Sequence, residues 1–138
     1  MSKIQLFENI SEIGAGTRGS SLGVEALKIA AFNSNSKFFK KFNTDKVLNN
    51  NDLLNNDPKF PKAKRIEGII EVCDDLSKKV SKTLKKNQFP FILSGDHSSA
   101  VGTIAGIKSA NPSLRLGVIW IDAHADLHSP FTTPSGNV

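Results

Sequence analysis

Two short polar clusters, Ser94-Gly95-Asp96-His97 and Asp122-Ala123-His124-Ala125-Asp126, place imidazoles and carboxylates directly after apolar runs. Ligands of these types without a thiolate suit a hard or borderline divalent cation such as manganese better than structural zinc. In an extended chain, residues 122, 124 and 126 project to one face at steps of about 6.6 Å, which leaves Asp122 and Asp126 about 13 Å apart. That is too far to share one ion, so either the chain curls after the strand or the cluster serves more than one metal. Taken singly, His97 reads as a loop histidine and Asp96 as a cap on the helix that follows. Taken together, carboxylates gathered at one edge repel each other unless a cation intervenes, and the two clusters read as a metal site.

Such clusters need elements to aim them. Pro90 opens a short apolar run, Phe91-Ile92-Leu93, that halts at Ser94, and residues 114–121 are apolar almost throughout, with Val118, Ile119, Trp120 and Ile121. A run apolar on both faces predicts a central strand of a parallel sheet covered by helices. Between the two runs, a helix from Ser98 to about Ser109 tolerates Gly102 and Gly106, as close packing on a sheet would allow, and Asn111-Pro112 ends it. Strand, helix, strand implies a right-handed crossover with both carboxyl ends at one edge, where open α/β sheets bind their ligands.

Upstream, residues 4–13 read as a strand entering the turn Gly14-Ala15-Gly16-Thr17-Arg18-Gly19. Ser21 then caps a helix expected to bury Leu22, Ala26, Leu27, Ile29 and Ala30. Residues 33–61 are rich in Asn and Lys and read as a surface excursion with room for one short helix. From 63 to 86, Ile66, Ile69, Ile70, Cys73, Leu76, Val80 and Leu84 recur at three or four residues, the pattern of an amphipathic helix.

Composition bounds the rest. The 138 residues fit a single domain, and 38% hydrophobic with 22% charged residues lies in the globular range. The net charge of +5 would suit an anionic partner, but the lysines are scattered, no arginines cluster and few aromatics interleave. A solvated lysine surface is expected, with no nucleic-acid or membrane partner. The lone cysteine, Cys73, excludes an internal disulfide and falls on the apolar helical stripe as a small core residue. No run approaches the roughly 18 apolar residues of a membrane span, and the N-terminus lacks a signal-peptide core, so a cytoplasmic location is expected.

At Ser94-Gly95-Asp96-His97-Ser98 and Asp122-Ala123-His124-Ala125-Asp126 the sequence resembles the first two signatures of the ureohydrolase family of arginases, agmatinases and formiminoglutamases. The likeness runs from the turn near Gly14 to Val138, as the N-terminal portion of such a protein. It implies a three-layer α/β/α sandwich with a mainly parallel sheet, incomplete at its C-terminus, and homo-oligomers, trimers or hexamers, at full length. It further implies two Mn2+ ions, with His97 and Asp126 on one, His124 on the other and Asp122 bridging; Asp126 is open to a second role. The tail from His128 to Asn137 resembles arginases, in which the positions of Thr133, Ser135 and Asn137 bind the α-carboxylate of L-arginine. Short hydroxyl and amide donors suit that task, and agmatine lacks the carboxylate. The implied reaction is hydrolysis of the guanidinium group to ornithine and urea, which needs acidified water because a guanidinium is a poor electrophile.

The chain also departs from the family. His128 stands where many arginases have asparagine in the substrate loop, and no later Asp-x-Asp segment is present to supply two further ligands. The family's histidine proton shuttle would follow Val138, so the chain itself carries no catalytic proton-transfer residue and is expected to be a poor catalyst. Three competing readings remain. Metallophosphoesterases use similar motifs in a different order. Gly14-x-Gly16-x-x-Gly19 matches a dinucleotide fingerprint without the second strand and acid that should follow. A non-catalytic metal-binding or basic binding module is the third.

Overall fold

A computed structural model describes residues 3–137. Strand β1 (Ile4–Asn9) is the middle of a three-stranded sheet, flanked by β2 (Asn43–Lys46) and β3 (Phe89–Ser94) in the order β2-β1-β3. Both pairings are parallel, Leu6 lying opposite Thr44 on one side and Phe91 on the other. The Asn/Lys-rich excursion therefore contributes an edge strand, as well as helix α2 (Phe38–Lys41) and a 3-10 turn at Asn51–Asn55. Its polar residues had hidden β2, whose side chains are all exposed and whose pairing is carried by the backbone.

Strand alternation sends successive β1 side chains to opposite faces. Phe7 joins Ile13, Val47, Ile69, Val72, Leu76 and Val80 in the core, beneath helix α3 (Ile66–Lys85). Leu6 and Glu8 face the other way, toward helix α1 (Leu22–Asn33), whose Lys28 Nζ lies 2.8 Å from Glu8 Oε2. Helices thus cover both faces of a parallel sheet, the expected α/β/α layering.

The amphipathic reading of α3 holds, although Ile70 points to solvent and Val72 takes its place in the core. Lys82 and Lys85 sit in its last turn, where they complement the helix dipole. For α1 the expected burial is wrong. Leu22, Ala26, Leu27, Ile29 and Ala30 are exposed and only Val24 is buried, because no described element packs over that side of α1, whose Lys28 meets Glu8 of the sheet instead.

Helix α4 (Ser99–Ala110) packs on α3 rather than on the sheet. A Cβ at Gly102 would come within 2.7 Å of the Cys73 carbonyl oxygen, and one at Gly106 equally close to that of Ser77. These glycines set the helix–helix spacing.

Residues 114–121 form no strand among the described residues, which corrects the expected crossover unit. Ile119 and Ile121 are 91% and 93% exposed. A strand apolar on both faces needs hydrogen-bonded neighbours and covering helices. The described sheet ends at β3, and neither kind of cover reaches this segment.

Candidate metal centre

The parallel register brings Asn9 at the end of β1 beside Ser94 at the end of β3, so the loops that follow both strands leave from one edge of the sheet. Asn9 is fully buried and pins that edge, its side-chain amide donating to Ser94 Oγ at 3.1 Å and its backbone oxygen accepting from the Gly95 amide at 2.8 Å. His97 emerges from the second loop, two residues before α4 begins.

There its Nδ1 lies 2.9 Å from Asp122 Oδ2 and 3.0 Å from Asp126 Oδ2. Of the two arrangements open from the sequence, the structure has the curled one: a bend at residues 123–124 and a φ of 50° at Asp126 fold the chain back, so both carboxylates reach one imidazole. His124 Nδ1 approaches Asp122 from its other oxygen, 3.4 Å from Oδ1. The His124 amide donates to that same Oδ1 at 2.8 Å and, with the neighbouring imidazoles, holds the Asp122 carboxyl below its ordinary value.

One ligand atom each from His97, Asp122 and Asp126 falls within 4.8 Å of the others. Ligands about 2.0–2.2 Å from a shared ion lie up to about 4.4 Å apart, so this set fits a small divalent cation with little adjustment. The donors are one imidazole nitrogen and carboxylate oxygens, with no sulfur, which suits a hard-to-borderline divalent cation such as manganese. Trp120 stacks on the His97 ring at 4.5 Å between centroids and 22° between planes. The sequence placed Trp120 in a strand core and gave no sign of this contact.

The sequence pattern that defines the arginase family matches residues 8–138. The chain belongs to the arginase family. It is 33% identical to the arginase of Bacillus subtilis strain 168 over 129 residues, covering 92% of this chain and 42% of that protein. Among solved structures, the arginase of Entamoeba histolytica in complex with L-ornithine superposes with a TM-score of 0.79 at 28% identity, covering 99% of this chain and 46% of that one. The arginase of Bacillus caldovelox gives 0.77 at 26% identity over the same shares of the two chains. The chain thus spans less than half the length of these arginase relatives.

The arginase-like tail is organised around one turn. Thr133 Oγ1 lies 3.4 Å from Ser135 Oγ and accepts the Gly136 amide at 3.1 Å, and Ser135 Oγ accepts the Asn137 amide at 3.2 Å. The Asn137 side chain donates instead to the Ala15 carbonyl at 2.8 Å, a link across the molecule that the sequence did not reveal. His128 stands apart from the turn, its Nδ1 3.3 Å from Thr132 Oγ1.

The glycine-rich turn is closed to phosphate. Gly19 and Ser21 amides both donate to Glu12 Oε1, at 2.6 and 2.9 Å, and the Gly14 amide donates to Asp96 Oδ2 at 2.9 Å. The chain's own carboxylates occupy the positions a pyrophosphate would need. Asp96 accordingly serves Gly14 and the Ser98 hydroxyl rather than capping α4 through its backbone amides, the role expected from its place in the sequence. Burial opposes ionisation of Glu12, yet the Ser21 and Gly19 amides together with Arg18 hold its carboxyl below the ordinary value. Among the described residues no helix is long and apolar enough to cross a membrane.

Proposed function

We propose that this chain carries the first part of a binuclear manganese centre, and the adjoining amino-acid recognition loop, of an enzyme that hydrolyses L-arginine to ornithine and urea. The observation that carries the reading is one imidazole nitrogen of His97 facing two carboxylates delivered by a separate loop. His97 and Asp126 would hold one ion and His124 the other, with Asp122 offering an oxygen to each. When bound, the pair of cations supplies acidified water at neutral pH, which a resonance-stabilised guanidinium requires. Thr133, Ser135 and Asn137, with His128 from the preceding segment, would orient the α-carboxylate of the substrate, leaving the guanidinium toward the metal ligands. The L-ornithine held by the Entamoeba histolytica relative is the amine this reaction would release, which supports the choice of substrate.

Trp120 is the only tryptophan, so its fluorescence reports on the centre without a label. Mn2+ is expected to quench it saturably in the unaltered chain and with at least about tenfold lower affinity in Asp126→Asn. No saturable quenching would sink the metal reading. Binding of L-arginine, followed through the amide signals of residues 128–137, is expected to exceed that of agmatine. An equal response to the two would favour another ureohydrolase substrate. Urea release by the chain itself is expected to be slow or absent.

A further inference from the structure

Asp96, the residue immediately before His97, is buried, and every acceptor it offers is engaged. Its Oδ2 takes the Gly14 amide at 2.9 Å and its Oδ1 takes the Ser98 hydroxyl at 2.6 Å. Its backbone oxygen takes the hydroxyls of Ser94 and Ser99 at 2.7 and 3.2 Å. One residue along the turn from Gly14, the Ala15 carbonyl accepts the Asn137 side chain at 2.8 Å. Gly16, with a φ of +72°, makes room for that side chain, since a Cβ there would lie 2.6 Å from Asn137 Oδ1.

We infer that Asp96 and the Gly14-Ala15-Gly16 turn form a brace fixing the metal-ligand loop at His97 and the recognition loop at residues 133–137 in one frame, with Asp96 as its positioning residue. The brace rests on the metal-centre reading for its purpose. Its parts are legible without it. The turn is held on its far side by Glu12, through Gly19 and Ser21, so a pull at Gly14 is passed to Ala15 rather than absorbed by a loose loop. A carboxylate accepting from a buried amide makes a charge-assisted bond, stronger and shorter than a neutral one, which suits a joint whose task is to hold position. Desolvating that carboxylate costs stability, so the residue is better explained by placement than by folding energy.

The test compares Asp96→Ala with Asp96→Asn in the whole chain. Mn2+ affinity is read from Trp120 quenching, and amide hydrogen exchange is read at residues 14–16, 133–137 and across α3. Asp96→Ala is expected to weaken Mn2+ binding about tenfold and to speed exchange at 14–16 and 133–137 while α3 stays protected. Asp96→Asn, whose amide oxygen still accepts from Gly14, is expected to restore both to within about threefold of the unaltered chain. Gly16→Ala is expected to speed exchange at 133–137 and leave Mn2+ affinity unchanged. Unchanged exchange at 133–137 in both Asp96→Ala and Gly16→Ala overturns the brace, as does a loosening of Asp96→Ala that extends through α3. If the unaltered chain fails to bind Mn2+, the metal reading falls, and the exchange pattern still decides whether the brace exists.

Discussion

Replacing Gly106 with alanine tests the packing of the two long helices. A Cβ at Gly106 would lie 2.7 Å from both the Ser77 carbonyl oxygen and Val80 Cβ, where ordinary contacts begin at 3.4 Å. Neither neighbour can swing away, because one is α3 backbone and the other is the first carbon of a fully buried side chain. The helices must separate, and overpacking of this kind costs about 1–3 kcal/mol. Alanine returns about 0.8–1.0 kcal/mol through its better helix propensity. Because neither neighbour yields, the overpacking cost is expected in the upper half of that range, about 2–3 kcal/mol, which leaves a net loss of about 1–2 kcal/mol. Gly23, in the first turn of α1, provides the control, since a Cβ there meets nothing within 4 Å. Alanine at Gly23 should stabilise by up to about 1 kcal/mol. Urea unfolding followed by circular dichroism gives both values. A Gly106→Ala chain as stable as the parent would refute the close-packing argument.

Other perturbations separate the buried from the exposed parts of the chain. Leu76→Ala, at a fully buried position on α3, should cost about 2–5 kcal/mol in the same unfolding assay, whereas Ile121→Ala should stay within about 0.5 kcal/mol. Glu12 has a lowered folded-state pKa, so its contribution is complete above the ordinary carboxylate value of 4.5 and is lost as pH falls through the lowered one. Glu12→Gln should therefore be less stable than the parent at neutral pH, with the gap closing in acid; melting midpoints recorded against pH would show a constant gap if Glu12 were not ionised. Removing the Lys28–Glu8 contact with Lys28→Met should loosen α1 preferentially, seen as faster amide exchange in residues 22–33 than in α3.

Much of the site could be read from residue types. Carboxylates and imidazoles in the pattern of residues 122–126 carry their chemistry whatever the backbone does, and a candidate ligand at His97 needs only a strand that stops at the correct edge. The curl was left open because period-2 reasoning describes an extended chain, and the left-handed backbone at Asp126 leaves no mark in the sequence. Long periodic elements such as α3 were legible because their own burial dictates their pattern. Strand β2 was not, since its bonds are made by backbone and its side chains say nothing. Residues 114–121 misled in the opposite sense: their apolar side chains describe an environment that the described part of the molecule does not build. Contacts between distant loops, such as Asn137 to Ala15 and Trp120 to His97, depend on how loops converge and have no local signature.

The uncovered stretch from Val118 to Ile121 has a practical corollary for handling the protein. A β-branched and aromatic run whose backbone makes no hydrogen bond among the described residues is a template on which copies can stack, so self-association should begin there while the core is still intact. Solubility would then be governed by four side chains at the rim of the candidate centre, and a lysine introduced at Ile119 should raise the concentration at which turbidity sets in without altering the melting temperature.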